Sequence, residues 1–539
     1  MFRYVINLRS LKPFYPKSFK VCVRSINMDG ICLTEQEEMP AEDKKALDEE
    51  EVQDIEGSSK QNIVGITFGD VGTNRLDCNV CSPVDKGEYV QIKHPTVGMV
   101  LGRVEKIERK TDLSVEKAMQ MTNGENVEID EQVIAKINVI GYRDRRGLLR
   151  TPGTPFRAGE DICVAEEELI KNVLGLDNDK NGAYIGMLQG HDIDVSMNIN
   201  SIAQKHLSVL AKTGSGKSYT TGIIIEEVMK HDVTAVILDP HGEYSSMAEA
   251  GEVDPDNEFG VSPRGYGEKM TEFSPSPDIN PGARPLKFTF KNMEPKKILD
   301  MVGISKRKSN VSPLEAAMSR LSAAKGQYSI QDVIRVLKNN EEDDASSVIK
   351  GLEKLDKKNI FAPMGTRMDE IVKKGQTAVI NLKGTPPDIQ NFVVSKLSTA
   401  LFELRKRDKI PPMIMFAEEA HNFCPQQGKT ESSEIFRTIA SEGRKFGLGL
   451  AIITQRAAKV DKNVLSQCNT QVILKVTNPN DLKAIESSVE GISKEMTEDI
   501  QRLPIGEAIL SGGGLSEPLI VDVRPRETKD GGSSIKVVD

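Results

Sequence analysis

The sequence contains no tryptophan, and aromatic residues make up only 5% of its 539 positions. Aromatic side chains are the usual stacking surfaces for single-stranded nucleic acid, so this composition disfavours binding through the bases. No run of apolar residues approaches the roughly 20 that a membrane-spanning helix needs. Hydrophobic residues make up 38% and charged residues 28%, as in ordinary globular proteins, and the length suffices for two or three domains.

Cysteine is also scarce. Seven cysteines are scattered along the chain, which argues against a disulfide framework and favours a reducing compartment, so we expect a cytoplasmic protein. Cys78 and Cys81 form the only CxxC pair, and without a second pair or a histidine cluster nearby we interpret them as buried thiols rather than zinc ligands. The net charge of −9 does not exclude a nucleic-acid partner, because a protein that encloses DNA needs positive charge only along its channel.

The first 60 residues differ from the rest. Residues 1–28 carry six basic side chains and no acidic one, whereas residues 29–57 carry twelve acidic side chains and two lysines. The basic stretch is consistent with a targeting peptide, but we favour Met28 as the true first residue. We therefore interpret residues 1–60 as an extension followed by an acidic, disordered linker.

The remaining sequence predicts two domains. Glycine and proline divide residues 61–167 into short segments of alternating polarity, such as GEYVQIKH and EQVIAKINVIGYRD, which is typical of a small β-barrel. Residues 168–526 alternate apolar strands with helices, which predicts an α/β domain built on a parallel sheet. Residues 290–373 have helical spacing and predict a helical insertion, and residues 527–539 predict a polar tail. The predicted strands of the α/β domain are residues 206–211, 233–238, 377–382, 413–417, 448–453, 471–476 and 507–512.

The strongest motif is AKTGSGKS at residues 211–218, between a predicted strand and a predicted helix. In that context it is a phosphate-binding P-loop, because its glycines let backbone N–H groups face phosphate oxygens at a helix N-terminus. We expect Lys217 to reach the β- and γ-phosphates of ATP and Ser218 to bind Mg²⁺. Ala211 departs from the usual pattern, which has glycine there. The predicted nucleotide contacts in this loop are Thr213, Gly214, Ser215, Gly216, Lys217, Ser218 and Tyr219.

Acidic residues follow two other predicted strands. In MIMFAEEAHNF, we assign Glu418 to the Mg²⁺ ion and Glu419 to the attacking water. In DPHGEY, Asp239 follows a strand expected beside the P-loop, so Asp239 and, less strongly, Glu243 are candidates for the same network. The alternative for DPHGEY is a plain strand-exit turn.

Two further motifs point to a shared hydrolytic site. Gln455, in TQR after a strand, is placed to sense the γ-phosphate or the water. Arg444 lies in the last turn of a predicted helix over residues 431–447, with Gly447 as its C-cap. A cation there suits the helix dipole, but an arginine that acts on a neighbouring subunit's ATP is the sharper hypothesis, with Arg437 a weaker candidate.

In this order, the motifs resemble the HerA family of hexameric helicase-translocases, within the class that includes FtsK and VirB4. The matching segments are IGMLQGHDIDVSMNIN, AKTGSGKS, DPHGEY, FAEEAHNF, GRKFGLGL, ITQR and GEAILSG. The resemblance implies a RecA-like motor below a HAS-barrel, catalytic roles for Lys217, Asp239, Glu418, Glu419 and Arg444, and ATP with Mg²⁺ as cofactors. It also implies nucleotide contacts from Lys205, Asp522 and Val523, a NurA-like nuclease partner, and DNA end processing in double-strand-break repair.

The DNA contacts and the cargo stay open at this point. Loops that track a phosphate backbone are expected after the strands of the motor, where Lys429, Lys459 and Lys462 are candidates, although surface lysines are the plain alternative. One rival function is a VirB4-like or FtsK-like pump for another cargo. Another is a nucleotide-gated scaffold that recruits a nuclease without translocating.

Overall fold

The computed structural model of the chain describes residues 63–176, 180–340, 345–489 and 491–532. The predictions for residues 1–60, and those for the tail beyond residue 532, lie outside the described residues. From Gly65 onward the described residues belong to one compact unit. Within the described ranges, no helix has the length and apolar character needed to cross a bilayer.

The predicted β-barrel is present and closed. Six strands follow one another in the order β2-β1-β7-β3-β4-β5, and β5 pairs antiparallel with β2 to close the ring. The barrel region consists of β1 (Ile63–Phe68), β2 (Arg75–Val80), β3 (Tyr89–His94), β4 (Gly98–Thr111), helix α1 (Val115–Thr122), β5 (Glu131–Arg143), β6 (Leu149–Arg150) and β7 (Asp161–Val164).

Part of the barrel was not predicted. Residues Asp161–Val164 form β7, which pairs with β3 and was not among the segments of alternating polarity that the sequence pattern singled out. Helix α1, between the two longest strands, was also missed, and all its residues are at least partly exposed. Cys78 is buried in β2, where burial raises the pKa of its thiol to about 12, but Cys81 is exposed, so the prediction of two buried thiols is wrong for Cys81.

The α/β domain contains a twelve-stranded sheet in the order β13-β12-β16-β11-β17-β18-β10-β19-β20-β21-β8-β9. Its strands, with the separate pair β14–β15, are β8 (Gly182–Leu188), β9 (Asp194–Asn198), β10 (Leu207–Leu210), β11 (Thr234–Asp239), β12 (Met270–Ser274), β13 (Arg284–Pro285), β14 (Phe288–Thr289), β15 (Phe361–Ala362), β16 (Thr377–Asn381), β17 (Met413–Ala417), β18 (Leu448–Thr454), β19 (Thr470–Ile473), β20 (Glu507–Ser511) and β21 (Leu519–Val523). All seven predicted strands are therefore present.

The sheet is not wholly parallel, which corrects the prediction. From β13 to β19 every pairing is parallel, but β20, β21, β8 and β9 join by antiparallel pairing. The reason is connectivity: β8 runs into β9 and β20 into β21 through short turns, and strands joined in that way run antiparallel.

Helices cover the sheet and form the predicted insertion. The helices are α2 (Glu167–Leu174), α3 (Ile199–Gln204), α4 (Lys217–Lys230), α5 (Pro295–Met301), α6 (Lys308–Lys325), α7 (Ile330–Lys338), α8 (Ser346–Asp356), α9 (Met368–Ile371), α10 (Pro387–Lys406), α11 (Ser433–Glu442), α12 (Lys462–Leu465), α13 (Pro479–Ser488) and α14 (Lys494–Arg502). Helices α5 to α8 make up the insertion, which is closed at its base by the parallel pair β14–β15.

The barrel and the α/β domain share a core. Tyr89, Leu101 and Ile140 of the barrel belong to the same buried cluster as Ile185 and other residues of the large sheet. We propose that the domains nonetheless divide near residue 167, where α2 begins.

Candidate active site

The P-loop adopts the conformation that its glycines were expected to permit. Gly214 and Gly216 have φ angles of +74° and +92°, in the left-handed region that favours glycine. The loop of residues 211–216 connects the fully buried strand β10 to helix α4, which begins at Lys217. Ala211 is buried, so the methyl group at this unusual position is accommodated within the core.

Both predicted acids meet the P-loop lysine. The Nζ atom of Lys217 contacts Oε1 of Glu418 and lies 3.4 Å from Oε1 of Glu419. Both carboxyl groups are buried, and a buried carboxylate is stable only when a cation or hydrogen bonds compensate for its lost hydration. Lys217 therefore compensates the acids in this state, and becomes available to phosphate only when it leaves Glu418.

Glu419 is held in an unusual backbone conformation. Its φ angle is +51°, which is uncommon for a residue other than glycine and is typical of strained functional sites. Its Oε2 atom lies 3.3 Å from Nδ1 of His421, which also lies 3.1 Å from Oγ1 of Thr454. Burial lowers the pKa of His421, opposed by the neighbouring Glu419. Burial thus favours the neutral form of the His421 imidazole beside the acid assigned to the water.

Tyr244 is a site residue that the sequence analysis missed. Its hydroxyl donates a hydrogen bond of 2.7 Å to Oε2 of Glu418, so both oxygens of that carboxylate have partners. The only available signal was that Tyr244 ends the DPHGEY motif, next to the candidate Glu243.

Asp239 lies at the carboxyl end of β11, but its oxygens are already engaged by its own turn. They accept hydrogen bonds from the backbone N–H groups of Gly242 (2.8 Å), Tyr244 (3.0 Å) and His241 (3.2 Å). Burial raises the pKa of Asp239, and these hydrogen bonds oppose the rise. The observed contacts give Asp239 a positioning role, since the turn that it stabilises carries Tyr244.

Gln455, the predicted sensor, contacts the P-loop. Its Oε1 atom accepts a hydrogen bond from Oγ1 of Thr213, which joins the end of β18 to the loop after β10. These two strands are neighbours in the sheet. Lys217, Glu418, Glu419 and Gln455 therefore converge at one edge.

Arg444 and Lys205 lie at the opposite edge of the sheet. Arg444 is exposed in a short 3₁₀ turn (Gly443–Phe446) that follows α11 and precedes β18, and Gly447 ends that turn at φ +68°. Burial lowers the pKa of His206 to about 4, and the positive charge of Arg444 acts in the same direction. Lys205 precedes β10 and accepts a hydrogen bond from the N–H of Asn469. Neither residue reaches the P-loop of its own chain.

Arg437, the weaker candidate for a contact with a neighbouring subunit's ATP, has a partner within its own chain. Its guanidinium pairs with the buried carboxylate of Asp461, in the loop after β18. That pairing makes Arg437 a structural residue of this loop.

Asp522 and Val523 lie in β21, three strands from β10, and do not reach the P-loop. The residues that follow Val523 contact the helix after the P-loop. The prediction of a polar tail from residue 527 did not include these contacts. The backbone N–H of Arg526 donates a 2.9 Å hydrogen bond to the Tyr219 hydroxyl, and Thr528 is buried against Glu226 of α4. Residues 524–532, the C-terminal segment, therefore pack against the helix that follows the P-loop.

The residues at the P-loop fit a phosphate-bound Mg²⁺ ion. Among the described residues there is no group of three or more His, Cys, Asp or Glu side chains that could hold a metal alone. Magnesium in phosphoryl-transfer sites takes most of its ligands from phosphate and water and only one or two from protein. The Ser218 hydroxyl, at the start of α4, and the buried Glu418 carboxylate provide that small set.

Two consecutive family models match the chain. The model described as "Helicase HerA, central domain" matches residues 183–401, and "Helicase HerA-like C-terminal" matches residues 389–523. Together they span the P-loop, both acids, the sensor glutamine and β21.

Full-length relatives show the same likeness. The chain is 26% identical to a probable helicase of Methanocaldococcus jannaschii over 510 residues, covering 88% of this chain and 93% of the relative. It is 26% identical to the DNA double-strand break repair helicase HerA of Pyrococcus furiosus, covering 86% and 92%. A solved structure of VirB4 from Thermoanaerobacter pseudethanolicus matches with a TM-score of 0.47 and 13% identity, over 64% of this chain and 97% of that one.

Proposed function

The chain belongs to the HerA family of helicases, and on that basis we propose that it is an ATP-driven DNA helicase and translocase. The observation that carries the proposal is the contact of Lys217 with Glu418 and Glu419 at the carboxyl edge of the sheet. This cluster unites a phosphate-binding lysine with two acids that hydrolysis needs.

The residues around ATP divide the work of hydrolysis. Lys217 moves from Glu418 to the β- and γ-phosphates, while the backbone N–H groups after Gly214 hold the phosphate oxygens. Mg²⁺, held by Ser218 and Glu418, would supply positive charge that offsets the charge of the phosphates. Glu419, oriented by His421, accepts a proton from the attacking water at its carboxylate. Gln455 and Thr213 report whether the γ-phosphate is in place.

We further propose a ring of six subunits with ATP between neighbours. Support comes from Arg444 and Lys205, which lie at the sheet edge opposite the P-loop and would face the nucleotide of an adjacent subunit. The relatives' names support DNA double-strand-break repair as the setting, and a NurA-like nuclease as the partner follows from the family resemblance. DNA ends of a duplex or a single strand, bound through the backbone without sequence preference, are the proposed substrate.

The first test concerns the site itself. Replacing Lys217 by Ala removes the cation that binds phosphate, so we expect steady-state ATPase activity to fall ~10³-fold or more. The matched control is Lys409→Ala, an exposed lysine after α10, which should hydrolyse ATP at the normal rate. ATPase activity of Lys217→Ala within a few-fold of the parent would show that the site assignment is wrong.

The same assay separates a DNA motor from a scaffold. A motor that acts on DNA ends should hydrolyse ATP faster when linear duplex DNA is added. Hydrolysis that is indifferent to any nucleic acid would favour the nucleotide-gated scaffold instead.

A further inference from the structure

The loops that follow β17 and β18 are joined into one structure. Pro425 and Val460 form an antiparallel bridge, and the N–H of Gln426 donates to the carbonyl of Lys459 at 2.7 Å. The side chain of Gln426 in turn accepts from the N–H of Lys462 at 2.8 Å. A displacement of one loop therefore moves the other.

These joined loops line a polar cavity of about 700 Å³ beside the active site. Side chains of three segments line it, from the loops after β17 and β18 and from the start of α13. The lining residues that matter here are His421, Gln426, Gln427, Arg456, Lys459 and Asn480.

The charge of the cavity suits an anion. Arg456 and Lys459 are exposed, and neither forms a salt bridge with any carboxylate of the described residues. The one acid in the lining, Asp481, is buried and accepts a 2.9 Å hydrogen bond from the N–H of Ala458, so it serves to fix the loop. Two free cations with several side-chain amides are the groups that proteins use to hold phosphodiester oxygens.

His421 connects this cavity to the catalytic acid. Its Nδ1 atom is within reach of both Glu419 and Thr454, but a neutral imidazole nitrogen is either a donor or an acceptor. If Nδ1 carries the proton it can donate to Glu419; if not, it can only accept from the Thr454 hydroxyl. Thr454 Oγ1 also accepts from the N–H of Arg456 at 3.0 Å, so movement of Arg456 changes the position of Thr454.

We propose that this cavity binds a phosphodiester of the DNA backbone. We propose also that His421 changes its hydrogen bond to Glu419 when the phosphodiester is bound. Arg456 and Lys459 bind the phosphate, and their loop moves toward it. Thr454 moves with Arg456 and no longer contacts Nδ1 of His421. Nδ1 then donates its hydrogen bond to Glu419, and this bond orients the Glu419 carboxylate toward the attacking water. This inference rests on the proposed function, since it locates the DNA substrate and explains how DNA accelerates hydrolysis.

The binding half of the proposal is tested with Arg456→Gln/Lys459→Gln. DNA affinity is measured by fluorescence anisotropy of a labelled linear duplex, with a non-hydrolysable ATP analogue, across a salt series. We expect the affinity for DNA to fall roughly 10-fold or more. The slope of log affinity against log salt concentration should shrink by at least about 1, because a variant that makes fewer phosphate contacts releases fewer counterions when it binds. Lys483→Gln, an exposed lysine of α13 outside the cavity, is the control and should bind normally.

The coupling half is tested with His421→Leu and His421→Asn. The leucine variant should bind the duplex within about two-fold of the parent, because it keeps the cations, yet its ATPase rate, whatever its level without DNA, should no longer rise when duplex DNA is added. Asparagine places an N–H near the position of Nδ1 and should restore most of the stimulation. A merely structural histidine would instead give equal losses in both variants, which would overturn the proposal.

The outcomes distinguish this inference from the proposed function. If the parent protein neither binds duplex DNA nor is stimulated by it, the proposed function fails. If the parent responds normally but the cavity variant keeps the same affinity and salt slope, only the cavity proposal fails. A series with inorganic phosphate completes the design: if phosphate alone reproduces the stimulation by DNA, a free anion and not the DNA backbone is the ligand.

Discussion

Buried carboxyl groups in this molecule differ in what compensates for their lost hydration. Glu418 has Lys217 and Tyr244, and Asp239 has three backbone N–H groups. Glu517, between β20 and β21, has a buried Oε1 atom without a hydrogen-bond partner. Burial raises the pKa of Glu517 to about 7, although Arg103 of the barrel acts in the opposite direction. The first two acids serve the active site, whereas Glu517 destabilises the fold when it is charged.

We therefore expect Glu517→Gln to stabilise the protein at pH 8. A carboxyl group whose pKa is raised on folding retains its proton in the folded state, so its contribution to stability is lost as pH rises from about 4.5 to about 7. The advantage of the glutamine variant should be near zero at pH 4.5 and grow to about 1–3 kcal/mol above pH 7. Thermal unfolding of both proteins at pH 5, 6, 7 and 8 measures the difference.

The exposed Glu116 of α1 offers the control for this experiment. The substitution Glu116→Gln should leave the unfolding temperature unchanged at every pH relative to the parent. If Glu517→Gln is no more stable than the parent at pH 8, the carboxyl group is compensated in solution and the reasoning fails.

Residues of the active site were predictable where position along a strand decides function. Lys217, Glu418 and Gln455 each follow a parallel strand, and the carboxyl ends of such strands meet at one edge. Tyr244 and His421 were not predicted, although both lie inside recognised motifs. The role of Tyr244 depends on the direction of its side chain toward Glu418, at a sequence separation of 174. The role of His421 depends on how its ring is turned toward Glu419 and Thr454. Strand order along the sequence carries no such information.

At the scale of elements, the same limit applies to strands. The central strands are continuously apolar, which is why they could be placed from the sequence. Strand β12, with the sequence MTEFS and three half-exposed residues, lacks that pattern and was missed. The antiparallel edge and the C-terminal segment were missed because they depend on pairing between distant residues.

The C-terminal segment is fixed to α4 by buried charges. The guanidinium of Arg524 is fully buried and lies 3.0 Å from Oε2 of Glu226 and 2.9 Å from Oε1 of Glu227. Arg526 packs over Gly222, where a Cβ atom would lie 2.6 Å from the guanidinium carbon. Glycine at this position therefore permits the contact. Since α4 carries the P-loop lysine at its start, this segment stabilises the element that positions the phosphates.

We expect Arg524→Met to destabilise the protein by about 3–5 kcal/mol. Methionine has a similar length but removes the fully buried cation that lies between Glu226 and Glu227. Glu226 then keeps only its hydrogen bonds from Thr528 and the more distant Arg526, and Glu227 keeps Lys230. Removing one member of a buried ion pair is the costly way to break it. Denaturant unfolding followed by far-UV circular dichroism measures the loss. The control is Lys529→Met, which removes the exposed ion pair between Lys529 of the same segment and Glu249, and its unfolding midpoint should stay close to that of the parent. Equal losses in the two variants would contradict the role given to the buried pair.

At the scale of the whole molecule, the sheet separates the P-loop from Arg444. The P-loop follows the carboxyl end of β10, whereas Arg444 precedes the amino end of β18, its parallel neighbour. One chain cannot bring both groups to the same nucleotide without unfolding the strands between them. An exposed guanidinium without a carboxylate partner among the described residues is suited to phosphate on another subunit.

This arrangement predicts complementation between two inactive variants. Glu419→Gln subunits lack the acid that accepts the proton but retain Arg444, and Arg444→Ala subunits have the reverse defect. In a mixed ring, some interfaces combine the intact Glu419 of one subunit with the intact Arg444 of its neighbour. We expect ATPase activity to return in the mixture and to peak near equal proportions, where such interfaces are most frequent.

The mixing must be complete for this result to count, so subunits are exchanged and native mass spectrometry of differently tagged chains confirms mixed rings. Mixing Glu419→Gln with Lys217→Ala provides the control, because both residues act on the nucleotide of their own P-loop and every interface keeps a defect. Activity in that control, or none in the Arg444 mixture at any ratio, would mean that Arg444 does not act across the interface. The sheet's two edges would then serve separate purposes, and the site at the P-loop would be complete within one chain.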